Sequence, residues 1–185
     1  MKAQQEKTNV TLKGNLDINE LIHEYRVAML SVKIAKSTGL GDEIIMDLYT
    51  AAIFHDIGKC MIDKQILNKP GPLTVREKEI VKKHVEYGAK IGILMNLSQD
   101  SIKYILGHHE NYDGSGYPTG AKAENIPIGA RIIKICDVYD ALRMDRAYRP
   151  AFPLIKALGI MENEKHVFDP AFYEIFKVVV AFEDE

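Results

Sequence analysis

A chain of 185 residues is one domain of ordinary size. It can bury roughly 70% of its unfolded surface, so no disulfide or metal is required merely to hold it together. Its 46% hydrophobic and 27% charged residues exclude wholesale disorder, and 24 Lys and Arg against 26 Asp and Glu leave a net charge of -2, without the electrostatic footprint of non-specific DNA or RNA binding.

Residues 1–16 are polar and read as a leader, with the domain spanning 17–185. From Asp17 a helical pattern runs through Leu21, Ile22, Tyr25, Ala28, Met29, Val32 and Ala35 to a stop at Gly39. Asp42 is placed to cap a second helix carrying Ile44, Ile45, Leu48, Ala51, Ala52 and Phe54. Thr74 and Glu77 have capping-box spacing and start a helix running to about Gly92. Ser98 opens the next, with Ile102, Ile105 and Leu106 on its apolar face. The segment from Asn111 to Pro127 is dense in turn-forming residues. Helical periodicity resumes from about Ile128 to Leu142 and again after Pro153, and Asp169-Pro170 is an N-cap followed by Pro at the first helical position. Alternating strand patterns are nearly absent. The expected fold class is all-α, a compact bundle of about six to eight helices.

Cys60 and Cys136 are too few for a disulfide framework and form no C-x-x-C pair, so both read as small buried hydrophobes. No apolar run approaches the length of a membrane span, and the first ten residues lack a signal peptide's apolar stretch. The expected location is the cytoplasm, with no membrane partner.

Candidate chemistry lies in the histidines and in carboxylates on apolar helices. His55-Asp56 ends the run Ala51-Ala52-Ile53-Phe54, and Asp137 follows Ile132, Ile133 and Ile135. A carboxylate on an apolar run costs several kcal/mol unless it is paired or ligates a cation. His108 and His109 are adjacent, just before the glycine-rich segment, and His23 and His84 fall on other helices. Taken singly, each has an ordinary explanation as a cap or a satisfied core residue. Together, on separate elements of one bundle, they suggest a di-metal site of nitrogen and oxygen ligands, suited to Fe, Mn or Zn. Only His166 stands outside the set.

These residues resemble a known family. His23, His55-Asp56 and Asp137 match the H…HD…D pattern of the HD superfamily of metal-dependent phosphohydrolases. With Ile57-Gly58-Lys59, His84, His108-His109-Glu110 and Asp113-Gly114-Ser115-Gly116-Tyr117-Pro118 added, the chain is similar to the HD-GYP subfamily of bacterial cyclic di-GMP phosphodiesterases, from about Asn19 to Pro170. The resemblance implies one metal held by His23, His55, Asp56 and Asp137, with Asp56 bridging to a second held by His84, His108 and His109. It implies two divalent ions, Fe or Mn, and no organic cofactor. Lys59 would contact a substrate phosphate, and Arg146 and Arg149 would grip the nucleotide phosphates. Tyr117 and Pro118 belong to the signature loop, which would line the entrance or contact a partner domain.

The implied chemistry is physically coherent. Two metals lower the pKa of a bridging water and orient a phosphodiester that water attacks extremely slowly. Asp56 and Lys59 would be the catalytic pair, Lys59 adding fixed positive charge where negative charge develops. Gly114 and Gly116 would let the loop approach a large dinucleotide closely. One departure stands out: where many members carry a third-metal glutamate, four residues before the first histidine, this chain has Asn19, and Glu20 lies about 100° further round an ideal helix. Two metals rather than three are expected. The leading functional expectation is hydrolysis of cyclic di-GMP to pGpG, with onward cleavage to GMP left open. The alternatives are a phosphodiesterase for 3',3'-cyclic GMP-AMP, or a non-catalytic module that senses a cyclic dinucleotide or docks onto a GGDEF-type diguanylate cyclase domain.

Overall fold

Apolar residues three and four apart generate the first long helix, α1 (Ile18–Ser37), which buries Val27, Ala28, Leu30, Ile34 and Ala35. A computed structural model describes residues 18–145 and 150–182; the polar leader, Arg146, Arg149 and the acidic end lie outside the described residues. α2 (Asp42–Phe54) follows, then a 3₁₀ turn over Ile57–Met61 and the single-turn α3 (Lys64–Leu67). α4 (Val75–Lys82), α5 (His84–Leu94) and α6 (Gln99–Gly107) lead into the glycine-rich loop. α7 (Ile128–Arg143), α8 (Leu154–Asn163) and α9 (Pro170–Ala181) complete an all-helical architecture, with no strand among the described residues.

The caps show why several helices begin where they do. Thr74 and Glu77 form both hydrogen bonds of a capping box, Ser98 accepts from the Ser101 amide, and Asp169 accepts from the amides of Ala171 and Phe172 with Pro170 at the helix start. At α2 the outcome differs. The N-cap is Gly41, with no side-chain cap, and Asp42 sits inside the first turn, where its charge favours the positive end of the helix dipole.

α7 is the central helix, in contact with α1, α2, α6, α8 and α9. Ile132, Ile133, Ile135 and Cys136 are fully buried there, packed with Leu48, Ile105 and Phe176 from surrounding helices. Burying each such aliphatic or aromatic side chain stabilises the fold by about 1.5–3 kcal/mol. Cys136 is thus the small buried hydrophobe expected of it, whereas Cys60 is exposed. Cys60 lies on the outer side of the 3₁₀ turn, whose buried side is taken by Gly58.

The single helix expected from Thr74 to about Gly92 is two. At Lys83 ψ opens to -10°, and the Lys83 amide turns to the carbonyl of Ile80. Tertiary packing accounts for the break. The 3₁₀ turn lies against α5, and a Cβ on Gly58 would stand 1.9 Å from the His84 carbonyl oxygen and 2.5 Å from the Gly88 amide. Only a glycine lets these backbones approach so closely.

Candidate metal centre

Three of the histidines are aimed by one local device. His55 and His108 are the C-cap residues of α2 and α6, and His84 follows the break after α4. The last turn of a helix leaves carbonyls without an intrahelical partner. Each of these imidazoles donates its Nδ1–H to the carbonyl three residues back: His55 to Ala52 at 2.7 Å, His84 to Val81 at 2.8 Å, His108 to Ile105 at 2.6 Å. The tautomer is thereby set, and Nε2 is left as a lone-pair donor facing inward.

These nitrogens meet at Asp56. Its Oδ2 lies 3.4 Å from His55 Nε2 and its Oδ1 3.3 Å from His84 Nε2, so one carboxylate faces two histidines with two different oxygens. Ligand atoms of Asp56, His84, His108 and His109 all lie within 4.8 Å of one another, and so do those of His23, His55 and Asp56. Asp137, on α7, places Oδ1 3.3 Å from His23 Nε2 and 4.0 Å from His55 Nε2. All seven residues expected from sequence converge, from α1, the end of α2, α5, the end of α6, and α7.

Burial sets the charges. It pushes His84, His108 and His109 below the ordinary imidazole value, His109 to about 3, so all three stand as neutral bases at pH 7. Burial would also lower His23, but hydrogen bonds to Asp137 and Asp140 outweigh it and raise the group to about 9. A cation taking His23 Nε2 must therefore displace a proton. Burial opposes ionisation of Asp56 and Asp137 too. The Lys59 ammonium beside Asp56 and the hydrogen bond from His23 to Asp137 outweigh burial and hold both carboxyl groups below the carboxylate range.

The residues present fit a divalent cation centre. His55 Nε2 and Asp56 Oδ1 are buried and make no hydrogen bond, a costly state for polar atoms unless a cation is their partner. Five imidazoles and two carboxylates, without a thiolate, suit Fe, Mn or Zn. Lys59 ion-pairs with Asp56 Oδ2.

A match to the HD domain family model runs over residues 9–172. The chain belongs to the HD domain family. Among its relatives, a cyclic di-GMP phosphodiesterase of Pseudomonas aeruginosa is 36% identical over 84% of this chain and 38% of its own length. A 3'3'-cGAMP-specific phosphodiesterase of Vibrio cholerae is 37% identical over 84% of this chain and 34% of its own length. The chain thus spans little more than a third of these curated relatives. An HD-G"Y"P protein of Bdellovibrio bacteriovorus shares the fold, with a TM-score of 0.70 at 21% identity over 88% of this chain and 52% of its own.

In this HD domain a cleft of about 620 Å³ opens over the centre, reaching from Asn19 and Glu20 across His23, Asp56, His109 and Asp137 to Lys64 and Asn68. Its size lies within the range of small-molecule sites. Glu20 was expected to turn aside from Asn19; it lines the cleft as well, because the first turn of α1 forms the rim and both neighbours face it. No described helix is long and apolar enough to cross a membrane.

The signature loop also packs on the protein itself. A Cβ on Gly116 would lie 2.2 Å from the Asn111 amide, so this glycine is needed for the approach of the protein's own backbone. Tyr117 stacks on His109, with ring centroids 4.9 Å apart and Lys82 Nζ 5.5 Å from the Tyr117 centroid. Pro118 follows a cis peptide bond. Buried Glu110 holds the loop closed by accepting from both the amide and the hydroxyl of Thr119. In the sequence Glu110 is legible only as part of the His108-His109-Glu110 motif. Asp140, which contacts His23, was missed, although its spacing of three from Asp137 on a helix was a legible signal.

Proposed function

We propose that this HD domain is a divalent-cation-dependent phosphodiesterase that hydrolyses cyclic di-GMP to the linear dinucleotide pGpG. The observation that carries the reading is Asp56, whose two carboxylate oxygens face two different histidine groups. His23, His55, Asp56 and Asp137 would hold one cation and Asp56, His84, His108 and His109 a second, with Mn and Fe among the ions these nitrogen and oxygen donors accept. When bound, such a pair supplies Lewis acidity to the phosphate and to the attacking water.

The chain's own residues do the rest. The cleft admits a large anion and lines its floor with the ligand set. Lys59 stands beside Asp56 with its ammonium raised above its ordinary value: burial works against the charge, and Asp56 outweighs it. It is therefore a permanent cation at the place where negative charge develops on the phosphate. The buried, neutral imidazoles of His84 and His108 close the side of the centre away from the cleft.

A second reading, hydrolysis of 3',3'-cyclic GMP-AMP, draws on the 37% identity to a relative named for that substrate. Both are tested together. The purified protein is loaded anaerobically with Mn(II) or Fe(II), each cyclic dinucleotide is supplied, and products are separated by chromatography. Linear pGpG that disappears with Asp56→Ala supports the first reading. Turnover of cyclic GMP-AMP alone supports the second, and no product from either removes both.

A further inference from the structure

His23 is presented in a way the other histidines are not. It lies inside α1, where the carbonyls of Asn19 and Glu20 are already taken by the helical amides of residues 23 and 24. The device that aims His55, His84 and His108, an orphan carbonyl three residues back, is unavailable to it. A carboxylate from another helix takes that place. His23 Nδ1 lies 2.7 Å from Asp140 Oδ2, across 117 residues of sequence.

Asp140 is itself held. It is 5% exposed, and the guanidinium of Arg26, one turn after His23 on α1, reaches it through Nε to Oδ1 at 2.6 Å and Nη2 to Oδ2 at 3.3 Å. A two-pronged contact of this kind fixes the plane of the carboxylate as well as its position. Asp137 and Asp140 are three apart on α7, so one helix face touches both nitrogens of the same imidazole: Asp137 faces Nε2 and Asp140 faces Nδ1.

We infer that Asp140 is a positioning residue for the cation centre: clamped by Arg26, it keeps a proton on His23 Nδ1 and so presents Nε2 to the ion shared with His55, Asp56 and Asp137. It touches neither substrate nor ion and acts through His23. Such outer partners raise the basicity of a ligating imidazole and lock its orientation, and their loss costs about 10- to 100-fold in metal affinity. The inference rests on the cation-centre reading but not on the identity of the substrate.

The test uses Mn(II) alone, titrated into the metal-free protein with free Mn(II) followed by electron paramagnetic resonance. Four proteins are compared: wild type, Asp140→Asn, His23→Ala and the double variant. Asp140→Asn is expected to weaken one of the bound Mn(II) ions about 10- to 100-fold. In the His23→Ala background it is expected to change affinity little, because the residue through which it acts is gone. Equal losses in both backgrounds, or unchanged affinity with a lowered Tm, overturn the inference and leave Asp140 as a fastener between α1 and α7. Should Asp140→Asn fail to fold, Arg26→Gln repeats the cycle from the half-exposed side, where a smaller loss, again confined to the His23-containing background, is expected; equal losses in both backgrounds, or no loss in either, overturn it.

Discussion

The Nε2 atoms of His84 and His108 face each other across 3.4 Å, while both rings donate Nδ1–H to a backbone carbonyl. Two lone pairs at that distance repel unless a proton or a cation lies between them. Burial lowers both imidazoles below their ordinary value, which disfavours the proton. The cation is the better partner. Mn(II) at one hundred times its Kd should therefore stabilise the fold by about 2.7 kcal/mol per site. Thermal melts with and without chelator check this, and His84→Ala should remove part of the gain. A Tm indifferent to cations in the wild type would contradict the centre altogether.

Lys59 and Asp56 are ion-paired, yet the two side chains should separate in their effects. Asp56→Ala removes a ligand common to both groups and should reduce Mn(II) stoichiometry as well as turnover. Lys59→Met should leave stoichiometry intact and lower kcat about 100-fold, the loss typical of one electrostatic donor. Metal content and steady-state kinetics on the same samples make the comparison. Loss of bound metal in Lys59→Met would make the lysine a structural counter-charge instead.

Gly58→Ala is the sharpest packing test. The new Cβ would meet the His84 carbonyl at 1.9 Å, and backbone atoms cannot yield as a flexible side chain can. The expected cost is about 1–3 kcal/mol in a urea titration. Because His84 moves with that carbonyl, the ion held by His84, His108 and His109 should weaken before the other. Unchanged stability would mean that the turn and α5 can slide apart freely.

Outside the ligand set, Arg131 and Asp169 form a largely buried ion pair that ties α7 to the start of α9, with side chains 14% and 4% exposed. Asp169→Ala leaves the guanidinium buried without its counter-charge and removes the α9 cap. Destabilisation of about 3–5 kcal/mol is expected, with Mn(II) affinity of the folded protein unchanged. Chemical denaturation measures the first and Mn(II) titration the second; a loss under 1 kcal/mol would show that water reaches the arginine.

Helix starts were legible wherever one or two neighbouring residues sufficed to make them, as at Thr74-Glu77, Ser98 and Asp169-Pro170. The break at Lys83 was not, because its cause is Gly58, more than twenty residues earlier, pressing on the first turn of α5. The packing need for Gly116 was not legible for the same reason: it comes from the approach of Asn111, which sequence order does not reveal.

By itself the sequence determined the helical class and most helix starts and pointed to the seven residues that the fold brings together, since periodicity, capping and the clustering of rare ligand types are local signals. Tertiary structure alone decided how those residues are used. It turned the two oxygens of Asp56 toward different histidines, brought Glu20 to the cleft, and set Asp140 behind His23 across 117 residues. The physical reason is range: a cap or a helical face is made by residues within a turn of each other, whereas an imidazole buried inside α1 must take its partner from whichever helix the packing of the core lays beside it.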